Sequence, residues 1–301
     1  MAALTPEKFK VIGYTEEDAN RIDRPTISYW QDAWRRLRKN PIAMGSLVVL
    51  GILLVMVIIG PHIKGYDYVS MNIAEKNQGV SSKYWFGTDN LGRDLFSRVW
   101  VGARASLIIA IVATAIKLII GTVYGALMAH FGGWVDEVLM RIIEVINSIP
   151  SLLLTILIMM ILGNNLFALL GALSVTAWCN TARQVRGMIK QLRETEYVYA
   201  AEVLGAKPLR IILKHYVPNM LGILILDTAT AIPMFIFTEA GLSFLKAPSI
   251  SLGVLISMGQ QNMDFYPSQL LFPCLVLCII VMAFNLLGDG LRDALDPRLR
   301  Q

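Results

Sequence analysis

The sequence predicts an all-α, polytopic membrane protein of six transmembrane helices with an interfacial helix ahead of the first. Three observations predict it. The 301 residues are 55% hydrophobic and only 16% charged, with a mean hydropathy of +0.56. Soluble domains carry about 25% charged residues, so this chain has too little charge to cover itself with a polar surface, and its apolar excess must face lipid. The apolar residues also run in long uncharged stretches rather than short alternating ones, which excludes a lipid-facing barrel and leaves helices. The same composition excludes a disordered chain.

The elements follow in order. Residues 1–41 form a polar tail and an amphipathic helix. In its last part, Tyr29, Trp30, Ala33, Trp34 and Leu37 share one helical face, while Arg35, Arg36, Arg38 and Lys39 supply charge. Such a helix lies in the membrane interface with its aromatic rings at headgroup depth. Asn40-Pro41 breaks it and turns the chain into the first span. Ile42–Gly60 is a run of 19 residues without a charge, about 28 Å of helix and close to the hydrocarbon thickness. Five further spans are predicted at Ser106–Ala129, Val138–Leu162, Leu166–Ala182, Met220–Leu245 and Leu270–Leu287. The chain then divides into a tail and interfacial helix (1–41), a first span (42–60), an extracytoplasmic loop (61–103), a five-helix core (104–287) that contains a cytoplasmic loop (183–219), and a cytoplasmic tail (288–301).

Basic residues set the orientation. With the N-terminus inside, cytoplasmic segments hold 18 Lys and Arg against 6 outside, so both termini are expected in the cytoplasm. The net charge of +5 is therefore read as topology, not as a nucleic-acid surface. Cys179, Cys274 and Cys278 all lie in apolar stretches, which argues against a disulfide framework. His62, His130 and His215 are far apart in sequence and have no Cys at zinc-ligand spacing. There is no phosphate-binding glycine loop and no Ser-His-Asp or H-E-x-x-H arrangement, so no catalytic residue, metal or cofactor is expected in this chain.

The most informative stretch runs from Tyr197 to Pro218. It reads as a short helix with a small-residue face (Ala200, Ala201), a break at Gly205, and a second helix opening at Lys207-Pro208, where a proline N–H would be unpaired anyway. Leu209, Ile212 and Leu213 share one face of that second helix, and Pro218 is expected to end the loop and start the fifth span. Two uses fit this pattern equally: a knob that enters a groove on a partner protein, or a surface helix packed on its own bundle.

The stretch resembles the EAA loop of ABC importer permeases: Tyr199-Ala200-Ala201, three residues, Gly205, nine residues, then His215-Tyr216-Val217-Pro218. Tyr199 stands where that pattern has Glu, and His215 where it has Ile. Four further stretches are similar to the C-type permease subunit of oligopeptide and dipeptide ABC importers. They are Phe86–Arg98 with Gly102–Leu107, Ile149–Leu154, Glu239–Leu245 and Gly288–Arg298. The resemblance implies the type I permease fold in a prokaryotic cytoplasmic membrane. It also implies a homologous second permease, two ATPase subunits that bind ATP and Mg, and an extracytoplasmic peptide-binding protein. Tyr199, Ala200, Ala201, Glu202, Gly205, Leu209, His215 and Pro218 would form the element that couples to an ATPase. A permease for nickel or another small solute would share every one of these motifs. A secondary transporter would instead show an internal repeat with paired broken helices, and no convincing one is found.

Ionisable residues inside the predicted spans are costly and usually face a bundle interior or an aqueous cavity. Lys117, Asp227 and Glu239 are accordingly candidates for a translocation path. Lys117 and Asp227 would either meet the peptide or pair as structural contacts, and Glu239 would serve an outer gate or a helix end. Arg141 and Glu144, three apart, are expected to pair within their helix. The Phe86–Arg98 segment is expected to be a contact surface for the binding protein or a loop satisfied within itself.

Overall fold

The computed structural model describes residues 28–163, 165–242 and 250–295. The polar tail before residue 28, the end of the fifth predicted span, the residues around Lys246 and the last six residues lie outside the described residues. Among the described residues ten helices longer than one turn follow one another: α1 Tyr29–Lys39, α2 Pro41–Ile63, α3 Leu95–Phe131, α4 Gly133–Asn147, α5 Ser151–Leu162, α6 Leu166–Arg193, α7 Glu196–Val203, α8 Pro208–Leu242, α9 Leu252–Gln261 and α10 Ser268–Leu295. No strand occurs among the described residues. The 37-residue α3 is central, packed by α2, α6, α8 and α9, and α10 closes the bundle against α2, α8 and α9.

The entry to the bundle forms as its residues dictate. The α1 residues Ala33 and Leu37 are buried, Leu37 against Leu291 and Ala294 of α10, whereas Trp30 and Trp34 stay exposed. The Tyr29 hydroxyl donates to the Leu295 carbonyl oxygen at 3.3 Å. Asn40 breaks the helix with extended backbone, its side-chain oxygen accepts from the Ile42 and Ala43 N–H groups, and Pro41 takes the first position of α2.

By length and hydropathy, α2, α3, α8 and α10 can each cross a membrane, and α4 with α5 makes a fifth if the bent pair counts as one span. The fourth expected span begins α6, which is 28 residues long but carries Arg183, Arg186, Lys190 and Arg193 in its last eleven residues. The third expected span is not one straight helix: it breaks at Ser148-Ile149-Pro150 and turns by 83°. Pro150 offers no N–H and pushes Ile149 out of the helical region, which ends α4. Several helices outrun their predicted limits. Residues 95–103 belong to α3 rather than to a loop, and residues 288–295 continue α10 rather than opening a tail.

Small residues set the tightest packing. A Cβ added at Gly121 would lie 2.6 Å from Thr181 Cβ, and one at Gly125 only 2.4 Å from the Ala182 carbonyl oxygen. With Ala129 one turn further, these positions let α3 and α6 approach backbone to backbone. The segment between α2 and α3 is folded on itself. Asp89 accepts from the Leu91 and Arg93 N–H groups (both 2.9 Å) and from Arg93 Nε (2.7 Å), and Asp94 caps α3 through the Ser97 N–H at 2.8 Å. Gln269 at the start of α10 donates to Asn77 Oδ1 (3.0 Å) and to the Thr88 carbonyl oxygen (2.9 Å). Lys83 and Tyr84 both donate to the Glu75 carboxylate and hold it below the usual carboxylate range. The segment is therefore satisfied largely within itself, with Asp94 Oδ1 and Arg98 Nε buried without a hydrogen-bond partner among the described residues. Gly125→Ala is expected to lower stability in detergent by about 1–3 kcal/mol, the usual cost of overpacking. Gly171→Ala on α6, with nothing within 4 Å of the added methyl, is the control that does not lower the melting temperature.

Candidate functional site

The Tyr197–Pro218 segment is built on buried anchors. Val198, Ile211 and Tyr216 pack together with Ala126 and Ala129 of α3 and Val185 and Ile189 of α6. Gly205 adopts φ +77° just after α7, and the Gly205 and Ala206 N–H groups donate to the Glu202 and Ala201 carbonyl oxygens (2.9 and 3.0 Å). Only glycine takes this left-handed helix-ending conformation without cost. Extended backbone at Lys207 then sets Pro208 at the first position of α8. With the anchors inside and Ala206 and Ile212 packed beside them, other apolar residues point outward. Tyr199, Leu204, Leu209 and Leu213 are 67%, 86%, 66% and 59% exposed. Ala200 beside them is exposed as well, while Ala201, Glu202 and His215 are half-buried. Glu202 lies 3.8 Å from Arg193 Nε, closing the segment onto the end of α6.

Pro218 does not start a helix, as the sequence reading expected. It sits inside α8, two residues after a π-helical turn over Ile212–Tyr216 that ends with the Val217 N–H donating to the Ile212 carbonyl oxygen. The wider turn moves the proline ring away from the carbonyl that a regular α-helix would press against it. Asn219 Nδ2 donates to the His215 carbonyl oxygen at 2.6 Å, so the proline interrupts the helix ladder without ending it.

A cavity of about 540 Å³ opens beside the α4–α5 break. Lys117 of α3 and Asp227 of α8 are in its wall, together with Asn147, Ser151, Thr176, Asn180 and Thr230. Lys117 Nζ donates to Asp227 Oδ1 at 2.8 Å, and Thr181 Oγ1 of α6 donates to Asp227 Oδ2 at 2.9 Å. The charges therefore pair with each other, and both line the cavity. Glu239 is apart from them. It is fully buried, accepts from Ser106 Oγ at 2.9 Å, and does not line this cavity. Ser106 Oγ in turn accepts from the Leu252 N–H at 3.2 Å, so this carboxylate locks α3 and α8 to the start of α9. Arg141 and Glu144 form the expected pair at 2.7 Å.

Sequence reasoning missed Asp136. It is buried at the start of α4 and takes charge-assisted hydrogen bonds from Arg186 and Lys190 of α6, the latter at 2.7 Å. The i, i+4 spacing of those two bases on one helix face was the available signal. No group of three or more His, Cys, Asp or Glu among the described residues could hold a metal ion.

Removing one member of the Lys117–Asp227 pair leaves a charge without its partner. Lys117→Met is expected to destabilise the chain by about 3 kcal/mol, read as lost yield and a lower melting temperature in detergent. The double variant Lys117→Met, Asp227→Leu should recover most of that loss. Strict additivity of the two single effects would show that the residues do not act as a pair.

Residues 121–301 match the family model of binding-protein-dependent transport system inner membrane components, and residues 28–79 match the N-terminal TM domain of oligopeptide transport permease C. The chain is 43% identical to the oligopeptide transport system permease protein OppC of Bacillus subtilis (strain 168), covering 100% of both chains. It is 42% identical to the dipeptide transport system permease protein DppC of the same organism, over 98% of this chain and 94% of that one. Identity to OppC of Escherichia coli (strain K12) is 38%, over 95% and 96% of the two chains. Among solved structures, a chain of the MetNI methionine ABC transporter in inward-facing form matches with a TM-score of 0.53 at 21% identity, over 65% of this chain and 96% of that one, a likeness of fold alone. With a family match over more than half its length and relatives collinear with it from end to end, the chain belongs to the binding-protein-dependent transport system inner membrane components, as a permease of the C type.

Proposed function

We propose that this permease forms half of the membrane pathway of an ATP-driven importer of oligopeptides or dipeptides. It would be assembled with a homologous second permease, two ATPase subunits that carry ATP and Mg, and an extracytoplasmic peptide-binding protein. The observation that carries the proposal is the exposed apolar ridge of Tyr199, Leu204, Leu209 and Leu213, set on a seat fixed by Val198, Ile211 and Tyr216. Such a ridge is stable in water only when covered, and Ala200 lets a groove approach the backbone closely. In this reading the basic end of the bundle and both termini are cytoplasmic. The α4–α5 pair counts as one span and α6 as the sixth. The chain contributes no catalytic residue.

Closure of the ATPase pair would push on the ridge and so on α6 and α8, which hold Thr181 and Asp227 in the cavity wall. That is alternating access by rigid movement of helices. The names of the relatives support a peptide cargo. So does the cavity wall, whose hydroxyl and amide groups suit the repeating amides of a backbone whatever its side chains.

The test is uptake in vesicles that contain the whole assembly. Leu204→Asp with Leu209→Asp is expected to cut peptide uptake and peptide-stimulated ATP hydrolysis by at least about tenfold, as for loss of central interface residues, with the chain still present in the membrane at normal level. Uptake by the purified chain alone, or full activity of the double variant, would overturn the reading.

A further inference from the structure

Helix α1 lies across the last turns of α10, and a cleft of about 450 Å³ opens between them. Gly290 and Ala294 line it on the α10 side, and the small residue at 290 lets α10 approach Ala43 of α2. A Cβ at Gly290 would in fact meet the Ala43 methyl at 2.3 Å. Three bases stand at its mouth. Arg36 is held by Asp32 at 2.9 Å. Arg35 and Lys39, four apart and so on one face of α1, make no ion pair or hydrogen bond with another described residue. Asp293 faces them from α10 as the one acidic group in the lining not already paired. The cleft therefore carries two available positive charges against one negative, a balance that fits a single negative charge better than two.

Its depth is fixed as well. Lys39 and Asn40 form the corner into α2, where exposed apolar residues begin at Ile42, which is 61% exposed. Trp30 and Trp34 lie exposed on α1, and Arg38 stacks over the Trp34 ring at 5.7 Å. Aromatic rings beside bases at the start of a span mark the level of lipid headgroups.

We propose that this cleft binds an anionic glycerophospholipid. Its phosphodiester would sit between Arg35 and Lys39, and its headgroup hydroxyls would reach Asp293 and the Asn40 amide, whose oxygen already caps α2. A phosphodiester carries one negative charge. Free phosphate is about half dianion at neutral pH, and Asp293 repels the second charge.

The full-length chain in non-ionic detergent can be titrated with phosphatidylglycerol or phosphatidylcholine and weighed by native mass spectrometry. Phosphatidylglycerol is expected to stay bound where phosphatidylcholine is lost. Arg35→Gln with Lys39→Gln should weaken it about 25-fold, roughly fivefold for each charge removed, without moving the thermal midpoint. The charge-keeping variant Arg35→Lys with Lys39→Arg should bind as the parent does. Equal retention of the two lipids, or unchanged binding by the Gln variant, overturns the proposal. Complete displacement by millimolar inorganic phosphate would assign the cleft to a free anion and overturn it too.

Discussion

One ion pair organises the middle of this membrane protein. A carboxylate at Asp227 is intolerable beside lipid unless a cation and a hydrogen-bond donor accompany it. Lys117 and Thr181 supply them at 2.8 and 2.9 Å, from two other helices. Satisfying that one group therefore fixes the positions of α3, α6 and α8 relative to each other. The distances are reached only because α3 has no side chain at Gly121 and Gly125, where it meets Thr181 and Ala182. The polar junction and the glycine seam are two parts of the same constraint.

The second consequence lies along α8. This helix runs unbroken for 35 residues from Pro208 to Leu242, about 52 Å. It carries Leu209 of the exposed ridge near one end, Asp227 in the cavity wall, and Glu239 in the Ser106–Leu252 lock near the other. Had Pro218 ended the helix, the ridge and the cavity would be joined by a flexible corner. The π turn before it keeps one stiff rod through all three places. In the proposed transport cycle, a push on the ridge would reach the cavity without being absorbed on the way.

Much of this was legible in the sequence. Long uncharged runs identified the membrane helices, Asn40-Pro41 marked the corner into the first of them, and the Gly205 break and the helix opening at Pro208 are where spacing placed them. The amphipathic pattern of α1 gave its faces correctly in outline. Ala33 and Leu37 turned out to pack on protein while the two Trp face outward, a division that periodicity alone cannot make. What stayed hidden depends on contacts between distant segments. Asp136 reads as an ordinary surface acid until α6 brings Arg186 and Lys190 to it. Glu239, grouped with Lys117 and Asp227 on the strength of its charge, belongs to a different junction because Ser106 lies 133 positions away in the chain. Helix α9 was missed because its ten residues are too few to show a span-length apolar run.

The prolines show why sequence alone could not place the break in the third span. Pro61, Pro218, Pro233 and Pro273 all sit inside continuous helices, yet Pro150 turns its chain by 83°. The ring removes the same N–H each time, so the difference must lie in what receives the freed backbone groups. At Pro218 the π turn and the Asn219 side chain repair the ladder locally. At Pro150 the helix stops and restarts, with the Leu154 N–H donating back to the Pro150 carbonyl oxygen at 3.1 Å. Non-helical backbone survives at membrane depth only where it lines a polar cavity or is buried in protein. Asn147, Ile149, Pro150 and Ser151 all line the cavity that holds Lys117 and Asp227. The break and the cavity therefore require each other: the bend opens a space that charged groups can face, and that polar space makes the bend tolerable.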